Sequence, residues 1–384
     1  MFRDDFPLLV NQPKLVYLDS ANTSLKPQIV VNSVKNYYEN YSANIGRATY
    51  DLSEFATKMY DSARAKIADF INANSNEIIF THSATYAINQ VAFGLQNLLQ
   101  NGDIILLTEY EHNSNIVVWQ KIAAKTGAKI AYIDEKFDEN KVKIFSYNFA
   151  SNVTGEIFNH DELAKKIRAR GGFVLIDATQ IVGRKSINVA DFSCDFLVFS
   201  SHKIYGPSGI GALFARSETQ SKLESFVFGS QTFSEISRQN VEFLNNNSRF
   251  EPGTPNIEGA IGFGAAIDFL NKISMKKVQK HDENLTNYAK NEIEKNGLAK
   301  YLIGEPKIGI FSFNHEIIHP HDFALLLNQE NIAVRAGKIC SDILMQKLKL
   351  DRGITRISFG IYTTKSDIDK FICEYKKIIE KLQK

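Results

Sequence analysis

Short apolar runs alternate with longer amphipathic segments through the first 215 residues of the chain. The short runs are typical of strands buried on both faces, whereas the longer segments space their apolar residues three or four apart, as helices do. The predicted helices are 55–71, 85–99, 114–125 and 160–170, and the predicted strands are 77–80, 104–107, 143–147, 172–176, 195–199 and 209–214. This alternation predicts an α/β fold built on a doubly wound, mostly parallel sheet.

The pattern changes after residue 217. Residues 217–250 are polar and aromatic without a clean period, which predicts an excursion over the surface. A second set of elements follows, with predicted helices at 258–271, 280–294, 320–327 and 366–382 and predicted strands at 308–313 and 354–359. At 384 residues the chain exceeds the usual size of one domain. We predict a large domain, residues 1–258, whose N-terminal segment packs on a small α+β domain, residues 259–384.

The composition is that of an ordinary globular protein and argues against a nucleic-acid-binding or membrane-spanning protein. Hydrophobic residues make up 44% and charged residues 23%, and a net charge of +2 without basic blocks gives no reason to expect nucleic-acid binding. No apolar run approaches the ~20 residues that cross a bilayer, and the first residues lack a signal-peptide pattern.

The cysteines point to a reducing compartment. Cys194, Cys340 and Cys373 are too few and too scattered for a disulfide framework, and no pair has the spacing of a zinc site. Cys194 and Cys373 lie in apolar or amphipathic patterns and are expected to be structural. We expect a cytoplasmic protein without a resident metal.

An acid and an amine follow two of the predicted strands. Asp177 comes directly after the run 172–176, and Lys203 follows the run 195–199 closely. Because ligands of open α/β sheets bind outside the carboxyl ends of the strands, both groups should face one crevice. Pyridoxal phosphate needs a lysine for a Schiff base and an acid on its pyridinium nitrogen, so the pair predicts an enzyme that uses this cofactor. The alternatives are a solvated surface lysine and an aspartate that caps a helix.

Further polar residues near the strand ends could complete this site. His112 could lie over the cofactor ring and transfer protons, or it could cap the helix that follows it. Residues 83–85 open a helix, where free N–H groups and hydroxyls bind a phosphate, although serine is also a good N-cap. Ser200 and His202 flank the lysine and are further candidate phosphate donors.

The C-terminal third contributes a second group of candidates. Thr254 lies in a turn between two prolines, which is either a plain interdomain turn or one that presents a hydroxyl to a ligand. Arg356 lies in a strand-like run, and its planar guanidinium suits the α-carboxylate of an amino acid. Cys340 follows two basic residues in a polar loop that would favour its thiolate, so it is either a nucleophile or a small buried side chain.

With these residues in place, the chain resembles the class V aminotransferase family of fold-type I pyridoxal-phosphate enzymes. Within that family it is most similar to the SUF-type cysteine desulfurases and selenocysteine lyases. The matching motifs run in one collinear order: YLDSA at 17–21, FTHSAT at 80–85, EHNSN at 111–115, SNVTG at 151–155, DATQ at 177–180, SSHK at 200–203, GTP at 253–255, RAG at 335–337 with Cys340, and RIS at 356–358. Each motif alone is weak, but so many ordered matches make the fold assignment specific.

The resemblance implies a role for each matching residue. The cofactor would be held by Ser83, Ala84, Thr85, His112, Asn152, Asp177, Gln180, Ser200, His202, Lys203 and Thr254, and the substrate carboxylate by Asn152, Arg335 and Arg356. Lys203 would form the Schiff base, His112 would stack on the ring, and Cys340 would accept sulfur as a persulfide. Because Thr254 would reach the phosphate of a neighbouring subunit, the resemblance implies a homodimer with shared active sites.

The activity that the resemblance implies is conversion of L-cysteine to L-alanine, with the sulfur passed on to an acceptor protein for iron–sulfur cluster assembly. Two alternatives remain open. One is an aminotransferase or lyase acting on another amino acid, including a selenocysteine lyase or a cysteine sulfinate desulfinase, and the other is a non-catalytic scaffold. Three departures from the family pattern lie on the substrate side: Gly46 replaces a histidine in the stretch 42–47, Lys338 and Ile339 replace histidines before the cysteine, and Thr363 replaces an asparagine.

Overall fold

The computed structural model of the chain describes residues 2–46 and 48–382. Arg47, which ends the stretch compared above, lies outside the described residues, as do Met1, Gln383 and Lys384. In chain order the α-helices are α1 (Pro7–Asn11), α2 (Gln28–Asn40), α3 (Asp51–Phe70), α4 (Ala84–Leu95), α5 (Ser114–Thr126), α6 (Asp161–Ala169), α7 (Ser217–Gln220), α8 (Ile257–Ile273), α9 (Met275–Lys295), α10 (Pro320–Gln329), α11 (Asp342–Lys347) and α12 (Lys365–Leu382). The strands are β1 (Val16–Tyr17), β2 (Ile78–Thr81), β3 (Ile104–Leu107), β4 (Lys129–Tyr132), β5 (Val142–Asn148), β6 (Phe173–Asp177), β7 (Phe196–Ser200), β8 (Gly211–Ala215), β9 (Phe233–Ile236), β10 (Val241–Phe243), β11 (Leu302–Ile303), β12 (Ile310–Phe313), β13 (Ile332–Ala333), β14 (Arg335–Gly337) and β15 (Ile354–Ser358).

The central sheet has seven strands in the order β2-β8-β7-β6-β5-β3-β4. β8 runs antiparallel to both of its neighbours, and the other pairs are parallel. β2, β3, β6 and β7 are buried at every position because helices cover both faces, α3 and α8 on one side and α4 and α5 on the other. The predicted α/β class with a mostly parallel sheet is confirmed.

A smaller antiparallel sheet, in the order β11-β12-β15-β14, carries the C-terminal elements. Its core is shared with α9, α10 and α12 and with the N-terminal residues Val16 and Leu18. β1 pairs in parallel with β13, so the N-terminal segment lies on this smaller unit. α8 spans the predicted division at residue 258 and packs against α2 and α3 of the larger unit. The division itself stays a prediction.

Two parts of the sequence gave no clear pattern. α2 exposes Ile29 and Val31, which blur its apolar stripe. The region 217–250 carries the exposed hairpin β9–β10 within its surface excursion. Arg335, Ala336 and Gly337, which precede the polar loop expected at Cys340, form β14 by pairing with β15. No helix in residues 2–46 and 48–382 is both long enough and apolar enough to cross a membrane.

A buried ion pair ties α3 to the turn that carries Thr254. The guanidinium of Arg64 binds the carboxylate of Glu251 through two bonds of 2.6 and 2.8 Å. The same carboxylate accepts the N–H of Phe80 at 2.7 Å and the hydroxyl of Tyr60 at 2.9 Å. The two charged side chains are only 12% and 9% exposed. The turn after Glu251 is therefore anchored to both a helix and the edge strand of the sheet.

Candidate active site

Polar residues that follow the strands of the central sheet converge on a cavity of about 210 Å³. It lies where β2, β3, β5, β6 and β7 end, which is where open α/β sheets bind ligands. The residues that line it are Asn22, Ser83, Ala84, Thr85, His112, Ser114, Asn148, Ala150, Asn152, Asp177, Thr179, Gln180, Ser200, His202 and Lys203. Ten of the eleven residues predicted to hold a cofactor are among them, and Thr254 is not.

Lys203 and Asp177 reach the cavity from neighbouring strands. Lys203 ends a 3₁₀ turn that begins directly after β7, and Asp177 is the last residue of β6. Burial lowers the pKa of Lys203 to about 8, and the negative charge of Asp177 opposes that shift. One oxygen of Asp177 accepts the N–H of Thr179 at 2.9 Å, while the other makes no hydrogen bond to a described residue. An amine that loses its proton near pH 8 and an available carboxylate oxygen thus share one cavity.

His112 is held as a neutral ring. Burial and the positive charge of Lys203 lower its pKa to about 4. The N–H of Ser114 donates to Nδ1 at 3.2 Å, so the ring proton lies on Nε2, and the same contact caps the start of α5. The loop is fixed by Glu111, whose fully buried carboxyl accepts the N–H of Asn148 at 3.0 Å. The ring therefore caps the start of α5 and has its free N–H on Nε2.

The start of α4 and the last residue of β7 form a site suited to an anion. Ser83 accepts the N–H of Tyr86 at 3.2 Å, and Ser200 accepts the N–H of Ala84 at 2.9 Å. Because both hydroxyls act as acceptors, each keeps its own proton for donation. Thr85 is exposed, and neither its N–H nor its hydroxyl bonds a described residue. A helix N-terminus with free donors binds phosphate.

His202 links this cavity to the N-terminal segment. Its carbonyl accepts the N–H and the hydroxyl of Ser24, both at 2.9 Å, and the ammonium of Lys26 at 3.3 Å. Burial and the positive charges of Lys203 and Lys26 lower the pKa of His202 to about 4. A neutral ring at this position remains able to donate one hydrogen bond.

Gln180 and Asn152 use part of their amides within the protein. Gln180 donates to the carbonyl of Ala21 at 2.9 Å, which leaves its second amide proton for a ligand. Asn152 donates to the carbonyl of Ile339 at 2.9 Å and accepts the hydroxyl of Ser341 at 3.2 Å. Asn152 thus lines the cavity and also holds the segment that carries the predicted nucleophile.

Arg356 is buried on β15 beside this segment, with 2% of its surface exposed. Its Nη1 donates to the carbonyl of Asn152 at 2.9 Å, and its Nη2 binds the carboxylate of Asp19 at 3.2 Å. Its Nε has no partner among the described residues. Arg335 faces Arg356 across the ladder and makes no ion pair with a described residue. A carboxylate of a substrate would satisfy the free Nε and the excess positive charge.

Cys340 is exposed, just outside the residues that line the cavity. The carbonyl of the preceding residue, Ile339, accepts the amide of the lining residue Asn152, so the thiol lies beside the cavity. Ile339 is buried in an apolar cluster with Val153 and Leu344, and Lys338 pairs with Asp342 at 3.4 Å. At this departure from the family pattern, Ile339 is therefore an apolar anchor and Lys338 forms a surface ion pair.

The other two departures lie away from the cavity. Thr363 closes the turn after β15, where its hydroxyl accepts the N–H of Gly360 at 3.0 Å. Gly46 has a φ of +85°, and a Cβ added there would meet no described atom within 4 Å. Thr254 is exposed, and its hydroxyl accepts the amide of Asn44 at 3.4 Å. The structure therefore does not bring Thr254 to the cavity of its own chain.

Sequence reasoning missed several residues that the structure brings to the site. Asn22, Asn148 and Thr179 line the cavity, and Asp19 pairs with Arg356. Asn148 could have been found, because it ends β5 and polar residues at strand ends were the guiding feature. Asp19 could not, since its partner lies 337 residues away in the sequence.

The residues present fit pyridoxal phosphate. Asn148 Oδ1 and Thr179 Oγ1 are buried without a partner among the described residues, which a bound polar group would relieve. The cavity also offers an acid for a pyridinium nitrogen, an amine for an aldehyde and hydroxyl donors for a phosphate. No group of three or more histidine, cysteine or acidic residues suited to a metal ion occurs in the described part of the chain.

Comparisons with known proteins agree with this arrangement. The profile of the family Aminotransferase class-V matches residues 16–371. A probable cysteine desulfurase of Halalkalibacterium halodurans is 40% identical over 383 residues, which cover 95% of this chain and 94% of that protein. The apo structure of a cysteine desulfurase from Thermococcus onnurineus NA1 has a TM-score of 0.92 at 32% identity and covers 98% of this chain and 97% of its own. The structure of the cysteine desulfurase CsdA from Escherichia coli has a TM-score of 0.89 at 30% identity, with 99% of this chain and 98% of that chain covered.

Proposed function

The chain belongs to the class V aminotransferase family, and on that premise we propose that it is a cysteine desulfurase with pyridoxal 5′-phosphate as its cofactor. The observation that carries the proposal is the placement of an exposed thiol, Cys340, beside the cavity that Lys203 lines: the lining residue Asn152 holds the carbonyl of the residue before the cysteine at 2.9 Å. When bound, the cofactor supplies an electron-withdrawing ring that stabilises negative charge on the α-carbon of an amino acid. The remaining steps belong to residues of the chain.

Substrate binding falls to the buried arginine. Arg356 offers its unpaired Nε to the α-carboxylate, and the contacts to Asp19 and Asn152 hold the guanidinium plane in place. Arg356 is not among the residues that line the cavity. A carboxylate that reaches it exchanges water for a charge-assisted hydrogen bond. The structure thereby favours an α-amino acid over a simple amine.

Proton transfer falls to Lys203 and His112. With its pKa lowered to about 8, Lys203 is partly a free base at neutral pH and can take a proton from the α-carbon. His112 carries its proton on Nε2 and, because its pKa is near 4, stays neutral while it donates a hydrogen bond. Asp177 keeps one oxygen open toward a protonated ring nitrogen.

Cys340 takes the sulfur. Its thiolate attacks the sulfur of the substrate, and an S–S bond forms as the substrate's carbon–sulfur bond breaks. The β-carbon keeps the bonding pair and takes a proton, and Lys203 returns a proton to the α-carbon. These steps yield alanine and leave a persulfide on Cys340. An external thiol or an acceptor protein then removes the outer sulfur.

The test compares the parent with Lys203→Ala and Cys340→Ser, and uses Cys373→Ser as the matched control because Cys373 is also an exposed free cysteine. With L-cysteine and dithiothreitol, parent and control should release sulfide and alanine in equal amounts, and the other two variants should release neither. Desulfuration of cysteine by Cys340→Ser at the parent rate would refute the role of this thiol. Parallel assays with L-selenocysteine, L-cysteine sulfinate and a keto-acid acceptor distinguish the lyase, desulfinase and aminotransferase alternatives.

We further propose a homodimer that works in the cytoplasm and passes its sulfur to an acceptor protein for iron–sulfur cluster assembly. The exposed apolar side chains of Phe228 and Ile236, 62% and 64% exposed, support a second copy on that face. Thr254 is exposed outside its own cavity, which is compatible with a contact to a partner's phosphate. The free cysteines support a reducing compartment. Light scattering of the purified holoenzyme should give twice the chain mass of 43.3 kDa.

A further inference from the structure

The backbone around Cys340 adopts an unfavourable conformation. Ile339 and Cys340 have positive φ angles of +56° and +55°, although neither is glycine. The left-handed region brings Cβ close to the backbone, so two successive residues persist there only when neighbouring contacts hold them. The position of the Cys340 thiol is therefore determined by the residues that contact this backbone segment.

Asn113 makes three of these contacts. Its N–H donates to the carbonyl of Cys340 at 2.7 Å. Its side-chain oxygen accepts the N–H of Asp342 at 3.0 Å, and its side-chain amide donates to the carboxylate of Asp342 at 2.7 Å. Asn152 adds a contact on the other side, to the carbonyl of Ile339 at 2.9 Å. The backbone around the thiol is thus held at the carbonyls of Ile339 and Cys340 and at the start of α11.

The side chain of Asn113 does nothing for its own helix. Asn113 is the N-cap of α5, where asparagine ordinarily accepts an N–H of the first turn, and it makes no such bond. Its oxygen instead caps α11, which begins at Asp342. The residue before it, His112, lines the cavity. One short loop therefore carries a ring into the candidate cofactor site and holds the candidate nucleophile beside it.

We propose that Asn113 is a positioning residue, which fixes Cys340 at the mouth of the cavity so that the thiol meets the sulfur of a bound substrate. The inference rests on the proposed function, because the position of the thiol matters to the rate only if Cys340 attacks the substrate. Asn113 itself touches neither substrate nor cofactor; it acts through the backbone of residues 340–342. Its removal should therefore affect sulfur transfer and spare cofactor binding.

The first experiment is Asn113→Ala in a Cys373→Ser background, so that Cys340 is the exposed thiol observed. The turnover number for alanine formation from L-cysteine should fall roughly 10- to 100-fold, the effect of a misplaced reacting group. The KM and the absorbance of the bound cofactor should stay at the parent values. Alkylation of Cys340 by iodoacetamide, followed by peptide mapping, should become several-fold faster, because the freed loop lets the exposed thiol move away from the neighbours that cover the rest of it.

Asn188 provides the matched control, because it makes the same kind of pair away from the cavity. Its amide donates to the carboxylate of Asp191 at 3.0 Å, and its oxygen accepts the N–H of Ala190 at 3.1 Å and the amide of Asn72 at 2.8 Å. Asn188→Ala should therefore change neither turnover nor alkylation. A general loss of stability caused by deleting an asparagine–aspartate pair would appear in both variants.

Exchanging the amide of Asn113 with the carboxylate of Asp342 tests whether turnover can be restored. Asn113→Asp sets two carboxylates against each other and should be as slow as Asn113→Ala. The double variant Asn113→Asp, Asp342→Asn restores one amide facing one carboxylate and keeps an oxygen for the N–H of residue 342. Its turnover should return most of the way to the parent value.

Parent turnover in Asn113→Ala, a double variant no faster than Asn113→Asp, or loss of the cofactor from Asn113→Ala would each overturn the proposal. If the parent makes no alanine from L-cysteine, the proposed function fails, and the alkylation rates still decide the positioning role. An unchanged alkylation rate in Asn113→Ala would overturn it in that case.

Discussion

The ion pair of Arg64 with Glu251 allows a quantitative prediction of stability. Glu251→Gln keeps one oxygen for Arg64 Nη1 and the N–H of Phe80, but removes the charge that compensates a guanidinium only 12% exposed. Leaving one partner of a buried pair unpaired costs about 3–5 kcal/mol. We therefore expect Glu251→Gln to lower the free energy of unfolding by about 4 kcal/mol. Arg64→Met should lower the free energy of unfolding by a similar amount, because it leaves the buried carboxylate of Glu251 without its cationic partner.

The double variant Arg64→Met, Glu251→Gln separates the pair from its surroundings. With neither charge present, the loss should be smaller than the sum of the two single losses by about 2–3 kcal/mol. Urea unfolding followed by the fluorescence of Trp119, the single and fully buried tryptophan, reports the transition of the larger unit. Additive losses, or a Glu251→Gln variant within about 1 kcal/mol of the parent, would refute the reasoning from burial.

Three further predictions follow from the site. The rate at which apoenzyme binds pyridoxal phosphate should rise with pH up to about 8 and then level off. The reason is that the reactive form of Lys203 is the neutral amine, and burial lowers the pKa of Lys203 to about 8. A plateau reached only above pH 10 would contradict this prediction. The ring of His112, whose pKa is lowered to about 4, should show no titration by NMR between about pH 5 and 8 when compared with a His112→Gln spectrum, and a midpoint near 6.5 would contradict the burial argument. Asp19→Asn removes the charged partner of Arg356 and should lower the free energy of unfolding in urea by about 3 kcal/mol. It should also raise the KM for the amino acid. Unfolding like that of the parent would show that Asn152 alone holds the guanidinium.

The larger unit and its cavity could be predicted from the sequence, and the reason is physical. Buried parallel strands give continuous apolar runs, and the residues after them meet at one edge of the sheet. Asp177 and Lys203 were found in this way, and Asn148 obeys the same rule. Contacts that depend on how the two units pack leave no such local pattern. Asn113 was seen only as part of a loop, because its bonds to residues 340–342 follow from tertiary packing.

The departures from the family pattern show the same limit. Lys338 and Ile339 differ from the expected histidines in the sequence, but only the structure shows that Ile339 is an apolar anchor. No strand was predicted at Arg335, because three residues are too few for a recognisable strand period; its pairing with β15 appears only in the structure. The domain division near residue 258 and the roles assigned to the site residues stay predictions.

The pairing of β1 with β13, and of Asp19 with Arg356, has a consequence for biosynthesis. The residues that reach the cavity from β2 to β7 have all been translated once Lys203 is made, whereas Asp19 must wait for Arg356, which is translated 337 residues after it. A nascent chain leaving the ribosome can therefore assemble the cofactor half of the pocket long before the substrate half exists. The N-terminal strand stays without its β-partner until residues 332 and 333 have been made, so the pairing of the N-terminal segment with the smaller unit is a late step of folding.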